Sequence, residues 1–141
     1  MLLLPDQVAD KWDFLCGDIE SSLPPVVGSN YSIERLLEAC LSGVLQVWLV
    51  KGKENGNSGL LVTTIYRDQA SATSMLMIYV AVSYKGGKLE DWKSSSETLV
   101  KFAKSKGCSG IMGYTSNETI EKYMRKLGCE TDNKLIVWRL L

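Results

Sequence analysis

The sequence predicts an α/β (α+β) domain, with a mixed central sheet and helices on both of its faces. Three observations predict it. The apolar spacing changes from helical to strand-like near Val44. Three strand-like runs then follow one another across short turn-like segments, which builds an antiparallel meander. A strand, helix, strand unit comes next, and a crossover of that length sets its two strands parallel with a right-handed connection.

The elements follow in order. Asp6 is placed to cap a helix that follows Pro5. Val8, Trp12, Leu15 and Ile19 recur at helical spacing and form one face. The helix stops before Leu23-Pro24-Pro25, because a proline disfavours helical geometry at the residue before it. Residues 24–31 read as loop. Ser32 caps a second helix with the stripe Ile33, Leu36, Leu37, Cys40 and Leu41, and Gly43 ends it. Val44 to Lys51 is rich in β-branched and aromatic residues and reads as a strand. Gly52 to Ser58 is a polar turn, Gly59 to Arg67 the second strand and Ala72 to Val82 the third. Leu60–Ile65 and Met75–Val80 are almost continuously apolar, which predicts strands covered on both faces.

Ser94-Ser95-Ser96-Glu97 reads as a capping box that opens the crossover helix. Leu99, Val100, Phe102 and Ala103 give that helix its apolar side, and Gly107 ends it. Cys108 to Tyr114 is a short strand. Asn117 caps a last helix, Glu118 to Leu127, closed by Gly128, and Leu135 to Leu140 reads as a final strand. No internal repeat, low-complexity stretch or domain boundary interrupts the pattern. The organisation is one domain over 1–141, in which 1–31 is a helix and loop appended to the core.

Composition narrows the function classes. Hydrophobic residues make up 45% and charged residues 23%, ordinary values for a globular domain with a real core. Formal net charge is zero, so no long-range field favours nucleic acid or an anionic membrane, and neither is expected as a partner. Lys101, Lys104 and Lys106 read as the wet face of a helix. The chain has no histidine, which excludes Ser-His and Cys-His catalysis. Cys16, Cys40, Cys108 and Cys129 are widely spaced and form no C-x-x-C pair, so free buried thiols are expected and no metal site. Met1-Leu2-Leu3-Leu4-Pro5 is apolar but too short for a signal peptide, and no run approaches the ~20 apolar residues that span a bilayer. The expected location is the cytoplasm.

Residues 75–128 carry a more specific pattern. They run strand, tight turn, helix, strand, helix and end in Lys126-Leu127-Gly128-Cys129, with Tyr84-Lys85-Gly86 at the turn. This resembles the cofactor-binding half of the GNAT acyltransferases, and the likeness covers roughly residues 33–141. The resemblance implies that 75–83 is the family's splayed fourth strand and 109–114 its fifth, with the pantetheine arm of the acyl donor between them. It also implies a pyrophosphate seat on backbone amides of an R/Q-x-x-G-x-G/A loop that opens a helix. Glycines there let the main chain approach the anion, and the helix N-terminus supplies free N–H groups.

This chain departs from the family's pattern at that loop, which reads Tyr84-Lys85-Gly86-Gly87-Lys88-Leu89-Glu90-Asp91-Trp92. Aligning Tyr84-Lys85-Gly86 with the family's Y-R-G puts the two glycine positions on Lys88 and Glu90. Counting back from Gly107 puts them on Glu90 and Trp92. In either register Glu90 and Asp91 bring negative charge to the phosphate seat, and close like charges repel. Lys85, Lys88 and Lys93 offset part of this. The residues that the resemblance offers to an acetyl-CoA molecule are Lys85, Gly86, Gly87, Lys88, Lys93, Ser94, Ser95 and Asn117.

The catalytic positions are altered as well. The family's N-x-x-A-x-x-x-Y-x-x-x-G-F run corresponds to Asn117 to Cys129, and its tyrosine, the general acid, falls on Met124. Tyr123 sits one residue early, about 100° around the helix. Tyr123 and Tyr79 are the nearest catalytic candidates. Tyr66, Tyr79 and Tyr114 are placed to line the cleft or to pack in the core. Residues 75–83 carry no acid to serve as a base, and Asp68 reads as a turn residue.

Leu3-Leu4-Pro5-Asp6-Gln7-Val8, Gly43-Val44-Leu45-Gln46-Val47-Trp48 and Val62-Thr63-Thr64-Ile65 further resemble small GNAT-like proteins of tailed bacteriophages. The expectation is a degenerate, non-catalytic module without a cofactor, acting through contacts with other proteins, virion components among them. The Met1–Leu4 arm and the outer face of the first helix would then be contact surfaces, unless they pack on their own domain. The alternative is an active acetyl-CoA-dependent N-acyltransferase with an atypical pyrophosphate loop.

Overall fold

The computed structural model describes residues 1–28, 30–52, 56–85, 88–115 and 117–140, with Thr119 and Tyr123 described in their backbone only. The N-terminal helical segment forms two pieces, α1 (Pro5–Asp10) and α2 (Trp12–Ser21), joined at Lys11. Pro5 occupies the first helical position, so Asp6 lies inside the first turn and does not cap it. Gln7 does that work, its Oε1 accepting the Leu4 N–H at 2.8 Å. α3 (Ile33–Ser42) follows as the sequence indicates. Ser32 Oγ accepts the Arg35 N–H at 3.3 Å, and Gly43 ends the helix at φ 84°.

The sheet contains β1 (Gln46–Lys51), β2 (Asn57–Arg67), β3 (Ser74–Ser83) and β4 (Gly110–Gly113), in the order β1-β2-β3-β4. The first three form the antiparallel meander, and β4 lies parallel to β3 after the crossover helix α4 (Leu89–Ser105). The last helix is α5 (Glu118–Lys126), with Asn117 Oδ1 accepting the Ile120 N–H at 3.2 Å and Gly128 at φ 93° behind it.

The core has two layers, one on each face of the sheet. Val8, Leu15, Ile19, Leu36 and Cys40 from α1–α3 pack on Val47, Leu49, Leu60, Val62 and Val80. Leu99 and Ala103 of α4 pack on Trp48, Val50, Leu61 and Leu76 on the opposite face, with Phe102 edge-on to Trp48 at 5.0 Å. β2 is covered on both sides from Ser58 to Thr63, but the run expected to be covered through Ile65 opens at Thr64, and Ile65 is exposed. One polar chain crosses the α4 layer. Trp48 Nε1–H donates to Thr63 Oγ1 at 2.9 Å, and that hydroxyl donates to Gln46 Oε1 at 2.9 Å, so each of these buried groups has a partner.

Several expectations are corrected. The Met1–Leu4 arm pairs with its own domain through its backbone. Leu3 N–H donates to Val47 O at 2.8 Å, Leu49 N–H to Met1 O at 2.9 Å and the terminal amine to Leu49 O at 2.8 Å, which lays the arm beside β1. Leu3 is buried by this pairing, while Met1, Leu2 and Leu4 remain exposed. α4 begins at Leu89, five residues before the capping box read at Ser94–Glu97, because Asp91 caps it instead. β3 is only half covered at Met75, Met77, Ile78 and Tyr79. The final strand expected over 135–140 does not form, since those residues have no regular secondary structure. Tyr66 and Tyr114 are exposed, so neither packs in the core.

Candidate functional site

The candidate site lies where β3 and β4 part. Their ladder runs from Met75–Gly110 to Ile78–Gly113 and stops, while β3 continues to Ser83 paired with β2. At the last rung the strands are in close contact: a Cβ on Gly113 would lie 3.3 Å from the Cβ of Ile78.

The parting coincides with a β-bulge. On β2, Val62 pairs with Val80 but its neighbour Thr63 pairs with Ile78, which leaves Tyr79 as the extra residue. A bulge breaks the alternation of faces. Leu76 and Ile78 accordingly face α4, whereas Val80 faces α1–α3. Tyr79 joins the α1–α3 side and lines a cavity of about 220 Å³ with Leu23, Val27, Tyr31, Arg35 and Leu36. Burial raises the Tyr79 phenol above its ordinary value, and the adjacent Cys40 adds to this. Burial likewise pushes the Cys40 thiol up to about 11. Both groups are therefore neutral near pH 7, and neither is a ready base or nucleophile.

The turn between β3 and α4 is held from inside. Tyr84 N–H donates to Ser58 O at 2.9 Å, and the Tyr84 hydroxyl donates to Asp18 Oδ2 at 2.9 Å. Burial and then the Asp18 carboxylate push that phenol well above the tyrosine range. Phe14 tilts against the same ring at 6.2 Å. On the far side of the turn Ser58 Oγ donates to Asp91 Oδ2 at 2.5 Å, and the same oxygen accepts the Lys88 N–H at 3.4 Å. Asp91 is only 5% exposed. Ser58 thus ties both ends of the turn to β2.

This arrangement decides how α4 begins. Lys88 is the N-cap and Asp91 the third helical residue. Trp92 lies over Gly59, where a Cβ would come within 2.3 Å of its ring. Trp92 is therefore part of the packed α4 layer and no part of a loop, which favours the register that puts the family's glycines on Lys88 and Glu90. The two carboxylates behave differently. Glu90 is exposed, while Asp91 turns inward and accepts the Lys88 N–H at the start of α4, the end of a helix that favours an anion.

The remaining sequence candidates scatter. Lys85, Lys88 and Lys93 are exposed around the turn. Gly86 and Gly87 lie outside the described residues. Ser94 and Ser95 sit in the second turn of α4, where their amides belong to the helix ladder. Asn117 serves as the cap of α5. The Tyr123 side chain lies outside the described residues, and Met124, at the family's tyrosine position, is half-buried. Asp68 is committed to its turn, accepting from Ser71 Oγ at 2.6 Å and Ser71 N–H at 2.9 Å, contacts that hold its carboxyl below the usual range. No group of three metal-ligating side chains occurs among the described residues. Sequence reading missed Ser58, Asp18 and Tyr84 as the residues that set the turn. Ser58 sits at the end of a polar run that reads only as a turn, and no local signal marks its long-range partner.

No protein-family model matches the chain, and no curated protein sequence does. Solved structures do match. An aminoglycoside acetyltransferase from an uncultured soil metagenomic sample superposes with a TM-score of 0.72 at 15% identity, covering 100% of this chain and 97% of that one. A ribosomal-protein-alanine N-acetyltransferase from Brucella melitensis gives 0.67 at 11% identity over 99% and 98% of the two chains. An acetyltransferase from Trypanosoma brucei gives 0.66 at 16% identity over 99% and 97%. At such identities the likeness establishes the fold alone, and the chain has the GNAT fold.

Proposed function

We propose that this chain is a GNAT-fold module that does not use an acyl donor and acts through contacts with other proteins. The observation that carries the reading is the inward carboxylate of Asp91, bonded to Ser58 Oγ and the Lys88 N–H. A diphosphate arriving at the start of α4 would meet a buried negative charge, in a loop whose glycine positions hold Lys88 and Glu90. The absence of an acid on β3 supports the same reading, because an amine acceptor needs a base within reach. The proposed setting is a tailed-bacteriophage particle, on the strength of the short runs around Leu3–Val8, Gly43–Trp48 and Val62–Ile65. Co-sedimentation of the chain with purified particles tests that setting, and its absence from them would remove it.

One observation favours a second reading. The bulge at Tyr79 and the parting of β3 from β4 leave a gap of the kind in which an acyltransferase holds a pantetheine arm. An acetyl-CoA-dependent N-acyltransferase with an atypical pyrophosphate loop is the alternative. Calorimetric titration with acetyl-CoA separates the two. The module reading expects no heat at millimolar donor. Micromolar binding that Lys88→Glu abolishes would overturn the module reading and revive the alternative.

A further inference from the structure

The cavity beside Tyr79 opens on the face of the sheet that carries α1–α3, opposite α4. Its volume of about 220 Å³ exceeds the ~150 Å³ that accommodates a benzene ring. Leu23, Val27, Leu36 and Leu45 give it an apolar wall, and Leu36 and Leu45 are buried. Arg35 is the one charged side chain in the described lining. Its guanidinium makes no ion pair or hydrogen bond among the described residues, and Glu38, one turn on, does not pair with it. Two carboxylates beside the lining are already taken. Glu34 Oε2 accepts the Ser32 hydroxyl at 2.9 Å, and Glu20 Oε2 accepts the Tyr31 hydroxyl at 3.1 Å. The Tyr79 hydroxyl has no partner among the described residues, and burial keeps its proton in place near neutral pH.

The free polar groups of this cavity therefore have protons to give. A guanidinium only donates, and Ser32 Oγ already both donates and accepts. Such a lining suits a group that is acceptor-only and negatively charged, and a carboxylate meets both conditions. An ammonium meets neither. We propose that the cavity binds a small monocarboxylate whose apolar body has the size of a phenyl ring or a short branched chain. The body fills the space against Leu23, Val27, Leu36 and Leu45. The carboxylate stays at the rim, held by Arg35 and the Tyr79 hydroxyl. Arg35 is exposed, so the head keeps part of its hydration while the body is desolvated. One guanidinium balances one carboxylate. Binding here is independent of whether the start of α4 takes an acyl donor, because α4 packs on the other face of the sheet.

A methyl-resolved NMR titration of the full chain tests this with phenylacetate, isovalerate and phenethylamine. The methyls of Leu23, Val27, Leu36 and Leu45 should shift saturably with at least one of the two carboxylates, at a Kd of about 1 mM or below. Phenethylamine, which has an aromatic body like that of phenylacetate but a cationic head, should leave them unmoved. Arg35→Gln should weaken carboxylate binding about tenfold or more, with the spectrum of the free protein otherwise kept because Arg35 is exposed. Tyr79→Phe should weaken it by a smaller factor, about threefold. Silence at these methyls with both carboxylates, at ten times the expected Kd, would overturn the proposal. So would amine binding as tight as carboxylate binding, or an affinity that Arg35→Gln leaves unchanged.

Discussion

Every side chain that the described residues bury lies at or before Ala103, whereas Leu127, Ile136, Trp138 and Leu140 are more than half exposed. The two regions use equally clear local signals. Ser32 and Gly43 bound α3, and Asn117 and Gly128 bound α5 in the same way. The difference lies in what each element needs beyond itself. A helix satisfies its backbone internally, so α5 forms with its Glu121–Arg125 pair at 2.9 Å although Ile120 and Leu127 remain exposed. A strand has no such recourse. Its N–H and C=O groups must find another strand, so residues 135–140 carry a strand's composition without forming one.

Core substitutions test this contrast most severely. Gly59→Val should cost about 3 kcal/mol or more, because its Cβ would sit 2.3 Å from the Trp92 ring and 2.6 Å from Val82 O. Leu60→Ala, at a fully buried site, should cost about 2–5 kcal/mol. Trp138→Ala, at a position 86% exposed, should change stability by less than about 0.5 kcal/mol. Urea unfolding measures all three, and a tail substitution as costly as Leu60→Ala would erase the contrast.

The turn comes next in size. Ser58→Ala leaves the Asp91 carboxylate buried without its hydroxyl partner, and Asp91→Asn removes the charge that accepts from Ser58 and Lys88. Each should lose about 1–3 kcal/mol in the same measurement. If neither moves the midpoint, Ser58 does not hold the turn.

Cys40 gives the smallest effect and a sign to check. Its folded-state value is raised from 9.0 to about 11 by burial, so the folded protein favours the neutral thiol. The associated stability is fully present below pH about 9 and lost as pH rises through about 11. Thermal unfolding across that window should fall less steeply for Cys40→Ala than for the wild type. Tyr84, also raised, contributes to the slope in both proteins and cancels in the difference, whereas Tyr79 loses the part of its shift that Cys40 supplies, which lessens the slope of the variant further. At neutral pH a thiol reagent should label the exposed Cys129 and spare Cys40.

Much of the fold was legible in the sequence because its signals are local. The stripes of the helices, the caps at Ser32 and Asn117 and the three apolar strand runs all appear where spacing and turn chemistry place them. The start of α4 was misread because Ser94-Ser95-Ser96-Glu97 looks like a capping box, while the true cap depends on Asp91 meeting Ser58, thirty-three positions away. The helix spacing that would point Tyr123 away from the cleft is local, but the bulge at Tyr79 arises from how β2 and β3 pair, and no residue type announces it. The missing final strand has the same origin, since composition states a preference for extended structure and says nothing of a partner.

The central claim is that Asp91 already fills the anion position at the start of α4. The most direct test is an amide-resolved NMR titration of the wild-type chain with coenzyme A. The account predicts that the Lys88, Leu89 and Glu90 amides stay unmoved at millimolar ligand. Saturable shifts at those amides, with the Ser58–Asp91 contact displaced, would contradict it.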